Sequence, residues 1–138
     1  MVRPGVITLD TSALFALLDG SDPDQPRVSE ALFADPGPYL VPVATLGEIT
    51  YLVERRLGSQ ILDAFLADLA DGALTLDCGD EDLPRARELV HRYRDLPLGF
   101  VDAAVVACAE RNGRRVLTLD RRDFDVVARE DTIDVVPR

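Results

Sequence analysis

The sequence predicts an α/β fold, a parallel sheet with helices on both faces, formed by one soluble domain over residues 1–138. Three observations predict it. Short β-rich apolar runs alternate along the chain with longer segments of helical period, the pattern of strand-helix-strand units. Asp, Gly or Pro punctuates nearly every transition. The 138 residues are 47% apolar and 29% charged, enough to bury a sizeable core. Repeats, low-complexity tracts, a dividing linker and a stretch of membrane-spanning character are all absent from the sequence.

The elements follow in order. Residues 6–9 (VITL) read as a strand ending at Asp10, and TSALFALL is too densely apolar for an alternating strand and reads as a buried helix. Asp22 to Asp24, with Pro23 and Pro26, has the chemistry of a helix start, and VSEALFA continues to a stop at Pro36-Gly37. YLVPV is the second strand. Thr45 opens the helix TLGEITYLVERRL, which Gly58 ends, and a further helix over 59–71 ends at Asp71-Gly72. ALTL is the third strand, and Asp80 to Arg94 forms a polar amphipathic helix closed by Pro97-Leu98-Gly99. FVDAAVVACAERNG is a nearly all-apolar helix, followed by strand RVLTL, Asp120, the helical turn RRDFDVVA and a last strand TIDVV.

Composition excludes several chemistries. All 15 basic residues are Arg, so a P-loop lysine, a Schiff-base lysine or a lysine opposite a phosphoaspartate is impossible. One His, at position 91, rules out multi-histidine zinc sites. Cys78 and Cys108 lie in apolar segments far apart in sequence, which fits a reduced chain. With no signal-peptide pattern, a cytoplasmic protein is expected. The 25 acids leave a net charge of -10, unequally spread: -9 over residues 1–80 and -1 over 81–138. Between residues 85 and 122, nine Arg stand against five acids, so the second half is where a polyanion could bind, although any single Arg reads better as part of a solvated helix face.

Open parallel sheets bind ligands beyond the carboxyl ends of their strands, which directs attention to Asp10 and Asp120. Each also fits a plain helix cap. Glu48 fits a capping box, Thr45-Leu46-Gly47-Glu48, in which it would reach back to the capping Thr. Asp102 is different. Val105, Val106 and Ala109 share its face of an apolar helix, and a carboxylate buried there is costly unless paired, hydrogen-bonded or bound to metal. Its first-turn position gains at most about 2 kcal/mol from the helix dipole, too little for a buried anion. Were these four carboxylates within about 5 Å, each pair would repel by roughly 3 kcal/mol at an effective dielectric near 20. Oxygen ligands without His or Cys select a hard ion, Mg²⁺ or Mn²⁺, and such a site is suited to activating water against a phosphodiester.

LDTSALFALL, VATLGEITYLVERRLG and FVDAAVVACAERNG followed by VLTLDRRDF together resemble the PIN domain, especially the VapC-type ribonuclease toxins of bacterial toxin–antitoxin pairs. The resemblance covers nearly the whole chain. It implies a three-layer α/β/α sandwich with a central, mainly parallel sheet and a metal-dependent ribonuclease site. It further implies Asp10 and Asp102 as principal ligands of Mg²⁺ or Mn²⁺, with Glu48 and Asp120 completing the catalytic quartet directly or through water. Thr11 or Ser12 would hydrogen-bond a ligand carboxylate or coordinated water, Thr118 would support Asp120, and Asp123 would be an outer acid. Gly47 loosens the helix turn that carries Glu48, whose geometry is the least determined. Arg121, Arg122 and Arg55 are candidate RNA contacts. An RNA substrate, a small antitoxin protein and a homodimer are the implied partners, with no membrane.

Rival readings meet specific objections. A receiver domain with an acidic Mg²⁺ site needs a Lys, a haloacid-dehalogenase-like phosphatase needs that Lys and a second Asp in its DxD start, and no two Gly are separated by the single residue a dinucleotide fingerprint requires. A non-catalytic PIN-like interaction module remains open, and metal binding discriminates it.

Overall fold

A computed structural model describes residues 5–77, 79–96 and 98–137. Cys78 and Pro97, which entered the sequence reading above, lie outside them. Five parallel strands form one sheet in the order β3-β2-β1-β4-β5. They are β1 (Ile7–Leu9), β2 (Tyr39–Pro42), β3 (Thr75–Asp77), β4 (Arg115–Leu117) and β5 (Asp134–Val136). The connecting helices are α1 (Thr11–Leu18), α2 (Gln25–Phe33), α3 (Val43–Arg56), α4 (Ser59–Asp71), α5 (Leu83–Arg92), α6 (Phe100–Asn112) and α7 (Arg121–Ala128).

Alternation of side chains along each strand produces the layers. Ile7, Leu9, Val41, Leu117 and Val136 face a core closed by Ala13 and Leu14 of α1, Val28 and Leu32 of α2, Ile49 and Val53 of α3, and Phe65 of α4. The neighbouring strand residues Val116 and Val135 face the opposite core, with Ala86 and Leu89 of α5, Val105, Val106 and Ala109 of α6, and Phe124 and Val127 of α7. The expected three-layer sandwich forms, with every strand pairing parallel.

Boundaries depart from the sequence reading in instructive places. The strands are three or four residues long, shorter than the apolar runs that marked them, because pairing stops where the chain turns into each helix. The segment expected to be helical from Asp80 begins as a short 3₁₀ turn, Asp80–Asp82, and the α-helix runs from Leu83 to Arg92. The segment RRDFDVVA, read as a helical turn, is a full eight-residue helix. Most consequential is α3, which starts at Val43, directly after the strand residue Pro42, rather than at Thr45.

Candidate active site

Strand order reverses at β1. The chain builds outward through β2 and β3, then returns to lay β4 along the other edge of β1. Such a switch point opens a crevice at the carboxyl ends of the two central strands. Leu9 and Leu117 are paired in register, so the residues that follow them, Asp10 and Thr118, emerge side by side.

Asp10 is 4% exposed and is held from three directions. Its amide donates to the Leu117 carbonyl at 3.0 Å. Its Oδ2 accepts the Ser12 hydroxyl at 2.9 Å and the Thr118 hydroxyl at 2.8 Å. Those hydroxyls in turn accept the amides of Leu119, at 3.0 Å, and Asp120, at 2.9 Å. The two hydroxyls also lie 3.2 Å from each other, and through them two loop amides are relayed to one carboxylate. The alternative role of Asp10 as a helix cap does not form: the amides of Thr11 and Ser12 favour its charged state but make no capping hydrogen bond. Burial outweighs these donors and pushes the carboxyl above its ordinary range.

Glu48 also lacks its alternative role. Thr45 is the third residue of α3 and donates its hydroxyl backwards to the Pro42 carbonyl at 2.8 Å, so the expected capping box has no capping Thr. The strand runs straight into the helix, and Glu48 is left exposed on the crevice wall. Asp120 heads α7 without a side-chain capping bond. Burial and the neighbouring Asp123 raise its carboxyl, against the opposing charge of Arg122.

Asp102 lies in the first turn of α6, half-buried, while Val105, Val106 and Ala109 on its face are fully buried. Desolvation, followed by the charges of Asp10, Asp120, Asp123 and Glu48, pushes its pKa up to about 7. The four acids, one at a strand end and three at or in helices, therefore converge. Asp10, Glu48, Asp102 and Asp120, with Thr11, Ser12, Phe15 and Leu52, line an open crevice of about 470 Å³. Asp123 stands behind this lining and acts on Asp102 and Asp120 through its charge. The Thr118 hydroxyl accepts the Asp120 amide and donates to Asp10.

The donor set fits a hard divalent cation. It is all oxygen, its acids repel one another, and the buried Thr11 hydroxyl on the crevice wall has no hydrogen-bond partner within the protein. Among the described residues no three acidic, His or Cys side chains form a ready-made cage. Mg²⁺ does not need one, since it keeps several waters and is held through one or two carboxylates.

The arginines are placed differently from the charge count. Arg85, Arg92, Arg111, Arg114, Arg115 and Arg121 are tied to carboxylates within the chain. Arg121 grips Asp125 and the Pro137 carbonyl. Arg122 and Arg55 are exposed. Arg56, which the sequence reading passed over, places its guanidinium carbon 6.0 Å from the centre of the Phe15 ring at the crevice. Its spacing was the available signal: Glu48, Leu52 and Arg56 recur every four residues along one face of α3.

Comparison with known proteins places this geometry in a wider setting. The sequence model of the PIN domain matches residues 7–130. Ribonuclease VapC26 of Mycobacterium tuberculosis is 39% identical over 121 residues, covering 86% of this chain and 90% of that one. The crystal structure of VapC20 of the same organism, described as a sarcin-ricin loop cleaving toxin, superposes with a TM-score of 0.74 at 25% identity, covering 88% of this chain and 94% of that one. VapBC2 of Rickettsia felis, crystallised with a DNA fragment from its promoter, superposes with a TM-score of 0.67 at 17% identity over 95% of this chain and 97% of that one, a likeness of fold.

Proposed function

The chain belongs to the PIN domain family, and from that premise we propose that it is a Mg²⁺- or Mn²⁺-dependent endoribonuclease, the toxin of a toxin–antitoxin pair, acting as a single domain over residues 1–138. The observation that carries this reading is the convergence of Asp10, Glu48, Asp102 and Asp120 on one crevice, where burial and the neighbouring charges push Asp102 up to about 7. Such an arrangement is unfavourable alone and favourable around a cation.

Asp10 and Asp102 are the principal metal ligands, with Glu48 and Asp120 completing the site directly or through water. A divalent cation held there supplies charge neutralisation and an activated water for phosphodiester hydrolysis. Ser12 and Thr118 fix the Asp10 carboxylate, and the free Thr11 hydroxyl hydrogen-bonds within the crevice. Asp123 contributes negative charge from behind. The substrate is RNA. A small antitoxin protein is the inhibitory partner, for which a basic segment suits the acidic crevice. The protein acts as a homodimer in the cytoplasm; among the described residues no helix is long and apolar enough to cross a membrane.

The test is cleavage of total cellular RNA with Mn²⁺ or Mg²⁺, with chelator, and with Asp10→Ala and Asp102→Ala. Cleavage by the native chain alone, abolished by chelator and by either substitution, is expected. Undiminished cleavage by Asp102→Ala protein overturns the assignment. No binding of Mn²⁺ at millimolar concentration by calorimetry would instead identify a non-catalytic interaction module.

A further inference from the structure

The carboxylate crevice explains how a phosphodiester could react but not how a polyanion is held beside four acids in a chain of net charge -10. The abundance of arginine does not answer this, because most arginines of the second half are paired internally. Those left for a phosphate must be exposed, free of carboxylate partners and close to the crevice.

Arg56 meets all three conditions. It is exposed, and among the described residues it forms no ion pair. Two elements bring it to the crevice. On α3, Glu48, Leu52 and Arg56 lie on one face, each a helical turn beyond the last, so this face passes from the acid and apolar residues of the crevice lining to a cation just beyond it. On α1, Phe15 lies one turn beyond Thr11 and Ser12 and shares the crevice lining with Leu52. Its ring stands under the Arg56 guanidinium. A planar cation on an aromatic face retains its donors for a phosphate, and loses less freedom on binding one than a free arginine would.

We propose that Arg56, seated on Phe15 at the outer end of the crevice, binds the backbone phosphate of the RNA strand next to the one being cleaved, with Phe15 and Leu52 forming the apolar shelf between the two. This rests on the ribonuclease reading of the same crevice. Arg56 is a substrate-binding residue, separate from the carboxylates. The competing structural role is that of a cation in the last turn of α3, which favours the helix dipole. That role would alter thermal stability and leave substrate affinity unchanged.

The experiment uses the full chain with Mn²⁺ and an RNA that the native protein cleaves, measuring KM, kcat and their salt dependence together with the melting temperature. Arg56→Ala is expected to raise KM about tenfold with kcat nearly unchanged, and to reduce the salt slope of binding by roughly 0.7 to 1, the loss of one phosphate contact. Arg56→Lys keeps most of the salt slope because it keeps the charge. Phe15→Leu preserves apolar volume, removes the ring and raises KM part of the way. Native KM and salt slope in Arg56→Ala overturn the inference while leaving the ribonuclease reading intact. A native protein that cleaves no RNA with either metal overturns both.

Discussion

The Thr118 hydroxyl donates to Asp10 Oδ2 at 2.8 Å, joining residues 108 positions apart because Leu9 and Leu117 are paired across β1 and β4. Thr118 is fully buried and also accepts the Asp120 amide, so one hydroxyl sets the position of two crevice acids. Replacing it with Val preserves shape and removes both bonds. Outer hydrogen bonds of this kind are worth about 10- to 100-fold in metal affinity or activity. Mn²⁺ affinity of Thr118→Val, measured by calorimetry, should fall within that range, and Thr118→Ser should restore most of it.

The raised pKa of Asp102 makes stability depend on pH in a defined direction. An ordinary aspartate ionises near about 4, whereas Asp102 in the fold does so at about 7. Between those values the folded chain holds a proton the unfolded chain has lost, so stability is present at low pH and is lost as pH rises through the interval. Asp10 and Asp120 shift in the same direction. The melting temperature of chelator-treated protein should therefore fall from about pH 5 to about pH 8. Mn²⁺ should offset the fall, because it binds the deprotonated acids, and Asp102→Asn should flatten it. A metal-free melting temperature that rises across this interval would contradict the account.

Arg111 secures the edge of the sheet away from the crevice. Its Nε donates to Asp82 at 2.8 Å and its Nη2 to Asp77 at 2.6 Å, while Nη1 lies 3.0 Å from Glu81. Asp82 is 8% exposed, so Arg111→Met leaves a nearly buried carboxylate without its cation. The expected loss is about 2–4 kcal/mol, below the value for a sealed pair because the arginine itself is partly exposed. Urea denaturation measures it, and metal affinity at the distant crevice should remain near native.

Arg121 and Arg122 are neighbours with opposite assignments. Arg121 is held by Asp125 and the Pro137 carbonyl, so Arg121→Glu should cost about 1 kcal/mol in denaturation and little in RNA affinity. Arg122 is exposed beside Asp120, and Arg122→Glu should weaken RNA binding and lower its salt slope by about 1 while leaving the melting temperature nearly unchanged. The reverse pattern of effects would place the substrate track away from α7.

Read alone, the sequence determined the alternation of strands and helices, the position of Asp10 at a strand end, and the anomaly of Asp102 in an apolar helix, whereas Asp120, read as ending strand RVLTL, lies three residues beyond β4 at the head of α7. These follow from side-chain periodicity and from the cost of burying a charge, both local properties of the chain. It could not say which strands are neighbours. Only the β3-β2-β1-β4-β5 order puts Asp10 beside Thr118 and gathers the acids at one switch point. Glu48 satisfied a capping box on paper, and the start of α3 at Val43 removed that box. The arginine-rich second half looked like a surface for RNA, yet six of its arginines close ion pairs whose partners lie on other elements or other turns. Arg56 acquired its place only when α3 packed against α1 and set it over Phe15. Periodicity encodes which face of an element is buried, whereas charge pairing and convergence depend on distances between elements that only the packed fold establishes.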